Sequence, residues 1–249
     1  MARRKKDGAG PMAGEEQIKS KARVRAHGEV FTAAREVNAM LDLVKDETEN
    51  LDSTFLEPAC GDGNFLDEVL RRKLAVCRKR YGGSPADYEK FSFLACTTLY
   101  GVDILADNVA RCRERLFARW EGGFGGRTDY HDRVARSVKR VFERNIVLGN
   151  ALSMKRVDAS GADLDEPIVF TEWKFAVGDK LKRADYRFDV LLEDGGSKGG
   201  MREMTFDFFG DASSSVNWMV DPDDPLKQRM IPAPSKTYPL TDYWRIGDE

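Results

Sequence analysis

The stretch Thr54-Phe55-Leu56-Glu57-Pro58-Ala59-Cys60-Gly61-Asp62-Gly63-Asn64-Phe65-Leu66 constrains this chain more than any other. Thr54 to Leu56 reads as a short apolar strand, Gly61 and Gly63 as a tight turn, and a helix follows from about Asn64. Phe65, Leu66, Val69, Leu70, Leu74 and Cys77 recur at helical spacing, so this helix buries one face. Glycines at the turn let the backbone approach a ligand and take φ angles that a Cβ forbids. The free N–H groups at the start of the helix point back at the same place. Strand, glycine turn and helix describe a nucleotide-type pocket at the carboxyl end of a sheet.

Two carboxylates narrow the ligand. A pyrophosphate site needs N–H donors, yet Glu57 closes the strand and Asp62 sits inside the turn. Leu66 also occupies the place of the third glycine of a dinucleotide fingerprint. The pattern favours a ligand with a positive end, such as the ammonium and sulfonium of S-adenosylmethionine. An ordinary Gly-Asp-Gly turn is the alternative.

Further along, helical and strand patterns alternate. Leu99-Tyr100-Gly101-Val102-Asp103-Ile104 reads as a second strand ending in a carboxylate. Asp103 either accepts the two hydroxyls of a ribose or caps the helix that starts at Leu105 or Ala106. Helices through Tyr88 to Ala95, Val109 to Trp120 and Val134 to Phe142 precede a third strand, Ile146 to Asn150. Asn150 either pairs with an adenine edge or closes a turn. The alternation predicts an α/β fold with a doubly wound, mostly parallel sheet. Pro167 to Phe170 adds a fourth strand, and the alternating pattern to Leu192, broken at Gly178-Asp179, predicts an antiparallel hairpin.

This organisation divides the chain into three. Residues 1–25 are basic and nearly devoid of large apolar side chains, and are expected to be a disordered tail. Residues 26–194 form the folded domain. Residues 195–249, with Pro222, Pro225, Pro232, Pro234 and Pro239, are expected to be an extended, irregular arm that docks Tyr238, Tyr243 and Trp244.

Charge is abundant, 33% of residues, but balanced at a net −2, so bulk charge neither favours nor excludes a polyanion. Local runs such as Arg71, Arg72, Lys73, Arg78, Lys79 and Arg80 read either as solvated helix faces or as a basic face for nucleic acid. Cys60, Cys77, Cys96 and Cys112 show no metal-ligand spacing. Their scatter fits a reducing, cytoplasmic compartment without disulfides. No apolar run reaches the length of a membrane span, so no membrane partner is expected.

Three segments occur in one order: His27-Gly28-Glu29-Val30-Phe31-Thr32, Phe55 to Leu66, and Tyr100-Gly101-Val102-Asp103. Together they resemble the N6-adenine DNA methyltransferases of restriction–modification systems, over roughly Lys21 to Leu152. The resemblance implies a Rossmann-like methyltransferase fold, S-adenosylmethionine as cofactor, DNA as substrate, and a cognate restriction or specificity subunit as a further partner. It places Thr32 at the methionine carboxylate and Glu57 at the methionine amino group. Cys60, Gly61 and Gly63 would form the floor, Asp103 would hold the ribose, and Asn150 with Ala151 would border the adenine.

The chain also departs from that family. Ala33 stands where a proline usually follows the threonine, and Asn150 where an aspartate is usual. The family's catalytic signature, Asn or Asp followed by Pro-Pro and an aromatic, is missing: no two prolines are adjacent. That motif has a physical task, because the adenine amine is a poor nucleophile until acceptors draw on its N–H groups and a ring clamps the flipped base. At the corresponding place stand Thr171-Glu172-Trp173. Glu172 is the candidate acceptor and Trp173 the candidate clamp; the alternative is a core tryptophan beside a solvated glutamate. Asp221-Pro222 is a weaker substitute. Two functions therefore remain open: a DNA methyltransferase, or a non-catalytic relative that binds cofactor or DNA.

Overall fold

A computed structural model describes residues 32–124, 132–192, 218–220 and 230–249. The tail expected over residues 1–25, the segment from His27 to Phe31 and the pair Asp221-Pro222 lie outside the described residues.

The chain enters through two short helices, α1 (Ala34–Asp42) and α2 (Lys45–Glu49). Strand β1 (Phe55–Glu57) leads through the glycine turn into α3 (Asn64–Tyr81) and then α4 (Pro85–Thr97), which Ser84 caps by accepting from the Asp87 N–H at 3.3 Å. Strand β2 (Leu99–Asp103) is followed by α5 (Ala106–Gly122) and α6 (Asp132–Asn145), then β3 (Ile146–Asn150). A hairpin of β4 (Lys155–Val157) and β5 (Asp163–Pro167) completes a five-stranded sheet in the order β1-β2-β3-β4-β5. β1, β2 and β3 run parallel, and β4 and β5 join antiparallel, so the sheet is mixed.

The expected α/β architecture with parallel strands forms; among the described residues the helices α3 to α6 lie on one face of the sheet. Among the described strands the order advances from β1 to β3 without reversing. Right-handed crossovers that always step the same way put their helices on one face. Side chains alternate accordingly. Phe55, Leu99 and Ile146 pack under Leu66, Leu70, Phe93, Cys112, Leu116, Val138 and Phe142 of α3 to α6. Leu56, Tyr100, Val102 and Val147 face the other way.

That second face is covered by a separate antiparallel sheet of β6 (Val169–Phe175), β7 (Lys180–Arg187) and β10 (Lys236–Asp242), with the short helix α7 (Phe188–Leu192). Ile168, Phe170 and Phe188 supply the packing there. The hairpin expected after Pro167 is thus present, turning at Gly178 (φ 61°), but its first strand does not extend the parallel sheet. A small ribbon of β8 (Trp218–Val220) and β9 (Met230–Pro232) precedes β10.

The irregular arm expected over residues 195–249 is corrected where that segment is described. β10 pairs along β7, and its register shifts between Tyr238 and Thr241. Pro239, which has no N–H to offer, sits in that irregularity on an edge strand, where a proline is tolerated. A 3-10 helix, Tyr243–Asp248, then packs on α6, with the Gly247 N–H donating to Ser137 Oγ at 3.1 Å. Tyr243 is buried against Phe93 and Phe175 and donates to Glu89 Oε1 at 3.0 Å. Tyr238 donates to Asp185 Oδ2 at 2.7 Å. The aromatics dock as expected, but on a sheet and a helix. Among the described residues, no helix is long and apolar enough to cross a membrane.

Candidate functional site at the carboxyl ends of the parallel strands

Parallel pairing of β1 with β2 sets Glu57 opposite Gly101 and so brings the ends of both strands to one side of the sheet. The turn after β1 folds over the end of β2: the Cys60 N–H donates to Val102 O and the Gly61 N–H to Asp103 Oδ2, both at 2.9 Å. Gly61 (φ 54°) and Gly63 (φ 92°) both lie in the left-handed region that favours glycine. A Cβ on Gly63 would fall 2.7 Å from Cys112 Sγ, so this turn also needs glycine for close approach to α5. Gly101 serves the same purpose below it, where a Cβ would stand 3.0 Å from Cys60 Sγ. Cys60 and Cys112 are both buried, and their mutual contact, with burial, holds the Cys60 thiol well above the ordinary thiol range.

Glu57 is the anomaly of the site. Its Oε2 atom is buried and has no hydrogen-bond partner among the described residues. Burial, with the Asp103 carboxylate nearby, raises its pKa from 4.5 to about 8. A buried carboxyl group lacking a partner destabilises the fold unless something else fills the role. Protonated, the group can donate; ionised, it only accepts, and a cationic donor satisfies that form best.

Of the two roles weighed from the sequence, Asp103 shows the local one, at the start of the following helix. Oδ1 accepts from the Leu105 N–H at 2.8 Å and from Asn108 Nδ2 at 3.3 Å, an Asx-type turn ahead of α5, while Oδ2 takes the Gly61 amide. The residue therefore links the glycine turn to the start of α5.

Asp62, the other carboxylate of the turn, is paired within the fold. Arg115 on α5 grips it with both terminal nitrogens, Nη1 to Oδ1 at 3.2 Å and Nη2 to Oδ2 at 2.9 Å. Arg115 also donates to Asn64 Oδ1, and Asn64 Nδ2 donates to Thr32 O at 3.5 Å. Thr32 is thereby drawn to the glycine turn, together with Glu57, Cys60, Gly61, Gly63 and Asp103.

Asn150 and Ala151 lie at the end of β3, the next strand over. Asn150 Oδ1 accepts from the Leu152 N–H at 3.0 Å and Nδ2 donates to Asp163 Oδ1 at 3.2 Å. Its side chain closes a turn and ties β3 to β5, the second of the two roles read from the sequence.

Glu172 and Trp173 are not brought to this site. Trp173 is buried and its Nε1 donates to Asn145 Oδ1 at 3.0 Å, at the residue that precedes β3. The adjacent Thr171 carbonyl accepts from Tyr100 OH at 2.9 Å. Both contacts sit toward the amino ends of the parallel strands; Tyr100 lies three residues before Asp103, about 10 Å at strand rise. Glu172 pairs with Lys174 at 2.7 Å. The assignment of this pair as base clamp and amine acceptor is corrected, because the antiparallel sheet carries β6 to the far end.

The basic runs are largely consumed internally. Arg71 and Arg72 both bind Glu68, Arg119 binds Asp67, and Arg78 stacks over Tyr88. Lys73 is fully buried, donating to Leu51 O at 3.3 Å, to Ser53 O and to Thr98 Oγ1 at 2.8 Å. No protein-family model, curated protein or solved structure matches this chain.

Proposed function

We propose that this chain binds S-adenosylmethionine at the carboxyl ends of β1 and β2, in a Rossmann-like methyltransferase fold, and acts in N6-adenine methylation of DNA. The buried Oε2 of Glu57, without a partner among the described residues, carries the reading. A cationic amine is the group that would satisfy it, and the cofactor's methionine end presents one. The bound cofactor would supply an electrophilic methyl group on a sulfonium. The chain's own part is to hold it. Glu57 would meet the ammonium and Thr32 would lie at the carboxylate. Cys60, Gly61 and Gly63 would pass beneath, Asp103 would take the ribose, and Asn150 with Ala151 would flank the adenine.

A second reading has a specific observation in its favour. Glu172 and Trp173 stand at the other end of the strands, and Trp173 Nε1 is already bonded to Asn145. On that reading the chain is a cofactor- or DNA-binding relative, and the groups that activate the amine belong to another subunit. Labelled S-adenosylmethionine with mixed DNA separates the two. Incorporation by the wild type, lost in Glu57→Gln, supports the methyltransferase. Cofactor binding by calorimetry with no transfer to any DNA supports the accessory role. Binding of neither the cofactor nor DNA refutes both.

A further inference from the structure

We propose that Arg115 is a positioning residue for the donor site: it latches the glycine turn from α5 and, through Asn64, the chain at Thr32. It thereby sets the methionine end of the pocket and leaves the ribose end to other contacts. The inference rests on the cofactor reading above.

Arg115 on α5 touches the glycine turn directly at Asp62 and Asn64, and reaches the chain at Thr32 only through Asn64. The fork onto Asp62 is bidentate, at 3.2 and 2.9 Å, and the same side chain reaches Asn64 Oδ1. Asn64 then hands the restraint on to the Thr32 carbonyl. The turn needs such a restraint. Asp62 lies between two glycines with positive φ, residues whose backbone has the widest conformational freedom, so its side chain is the handle by which the turn can be fixed from outside. A planar fork on a carboxylate fixes orientation as well as distance, which a lysine ammonium does not.

Neighbouring arginines do something different. Arg119 meets Asp67 and Arg71 meets Glu68, pairs borne on helices α3 and α5 that do not include the turn. The ribose end has anchors of its own, since Asp103 accepts from the Leu105 N–H and from Asn108 Nδ2 outside the turn, besides the Gly61 amide. Losing Arg115 should therefore disorder one end of the pocket and not the other.

The test uses the full chain and two ligands. S-adenosylhomocysteine carries the methionine-derived amino acid; 5′-methylthioadenosine keeps the adenosine and thioether but lacks it. In Arg115→Ala, affinity for S-adenosylhomocysteine should fall about tenfold or more, while that for methylthioadenosine changes less than about twofold, tenfold being the scale of one good oriented contact. Asn64→Ala cuts the chain of contacts between Arg115 and Thr32, and serves as the test if Arg115→Ala fails to fold; it should show the same contrast. Equal loss of both ligands would assign Arg115 to general stability and overturn the proposal, as would unchanged binding of both. Failure of the wild type to bind S-adenosylhomocysteine would overturn the cofactor reading and the latch together, whereas wild-type binding with an indifferent Arg115→Ala would overturn the latch alone.

Discussion

Glu57→Gln should make the free protein more stable, and by an amount that depends on pH. The glutamine keeps the shape of the protonated carboxyl but cannot ionise. In the fold Glu57 has a pKa of about 8, against an ordinary 4.5, because burial and Asp103 oppose its charge. Between those values the folded state holds a proton that the unfolded chain has released. Stability therefore falls as pH rises through this window, and the loss is complete above the folded pKa. The interval from 4.5 to about 8, at about 1.4 kcal/mol per pH unit, amounts to roughly 5 kcal/mol. Wild type and variant should thus unfold at the same urea concentration near pH 4.5 and diverge progressively to about pH 8, the variant being more stable. Lys73, whose pKa burial lowers from 10.5 to about 7, tilts the pH dependence the opposite way, but it does so in both proteins and cancels in the difference. The same substitution should abolish calorimetrically detectable S-adenosylmethionine binding, so the more stable protein is the one that has lost the ligand. A stability difference that stays flat across the pH range would show that Glu57 is not held neutral by its surroundings, and the argument from its missing partner would fall with it.

Two further substitutions probe the frame around the site. Trp173→Phe should destabilise the fold by about 1–3 kcal/mol, the scale for a buried acceptor left unsatisfied, here Asn145 Oδ1, with cofactor affinity unchanged. A tenfold loss of affinity in calorimetry at undiminished stability would return Trp173 to the site. Gly63→Ala forces a Cβ into the left-handed region and to 2.7 Å from Cys112 Sγ, and together these should remove roughly 2–4 kcal/mol of stability by urea titration. Pairing it with Cys112→Ala should recover the steric part only, seen as a favourable coupling in the double-mutant cycle; strict additivity would mean the thiol is not what the turn packs against.

What the sequence conveyed, and what it withheld, follows the range over which each side chain finds its partner. The strand from Leu99 to Asp103, the strand from Ile146 to Asn150 and the helix after Gly63 were legible because their signals are local: alternation, helical spacing, a glycine with φ 92°. Glu57 and Asp62 are chemically equivalent in the sequence, two carboxylates bracketing one turn. They part company because Arg115, fifty-three residues beyond Asp62, takes one of them and no described residue takes Oε2 of the other. Lys73 illustrates the same point in reverse. In a run of basic residues it reads as a solvated face, yet it is buried because two carbonyls before β1 and the Thr98 hydroxyl supply three acceptors. Trp173 reads as following a strand, as a base clamp would, but it lies within β6 of the second sheet, and its partner Asn145 lies at the wrong end of β3. Pro239 suggested an arm without regular structure, and a bulge on an edge strand accommodates it. A partner tens of residues away leaves no periodicity to read, so the site's most informative atom, Glu57 Oε2, is one that only the assembled fold can expose as lacking a partner. It is also the atom whose ionisation opposes folding above pH 4.5, which ties the functional reading to a quantity that can be measured before any ligand is added.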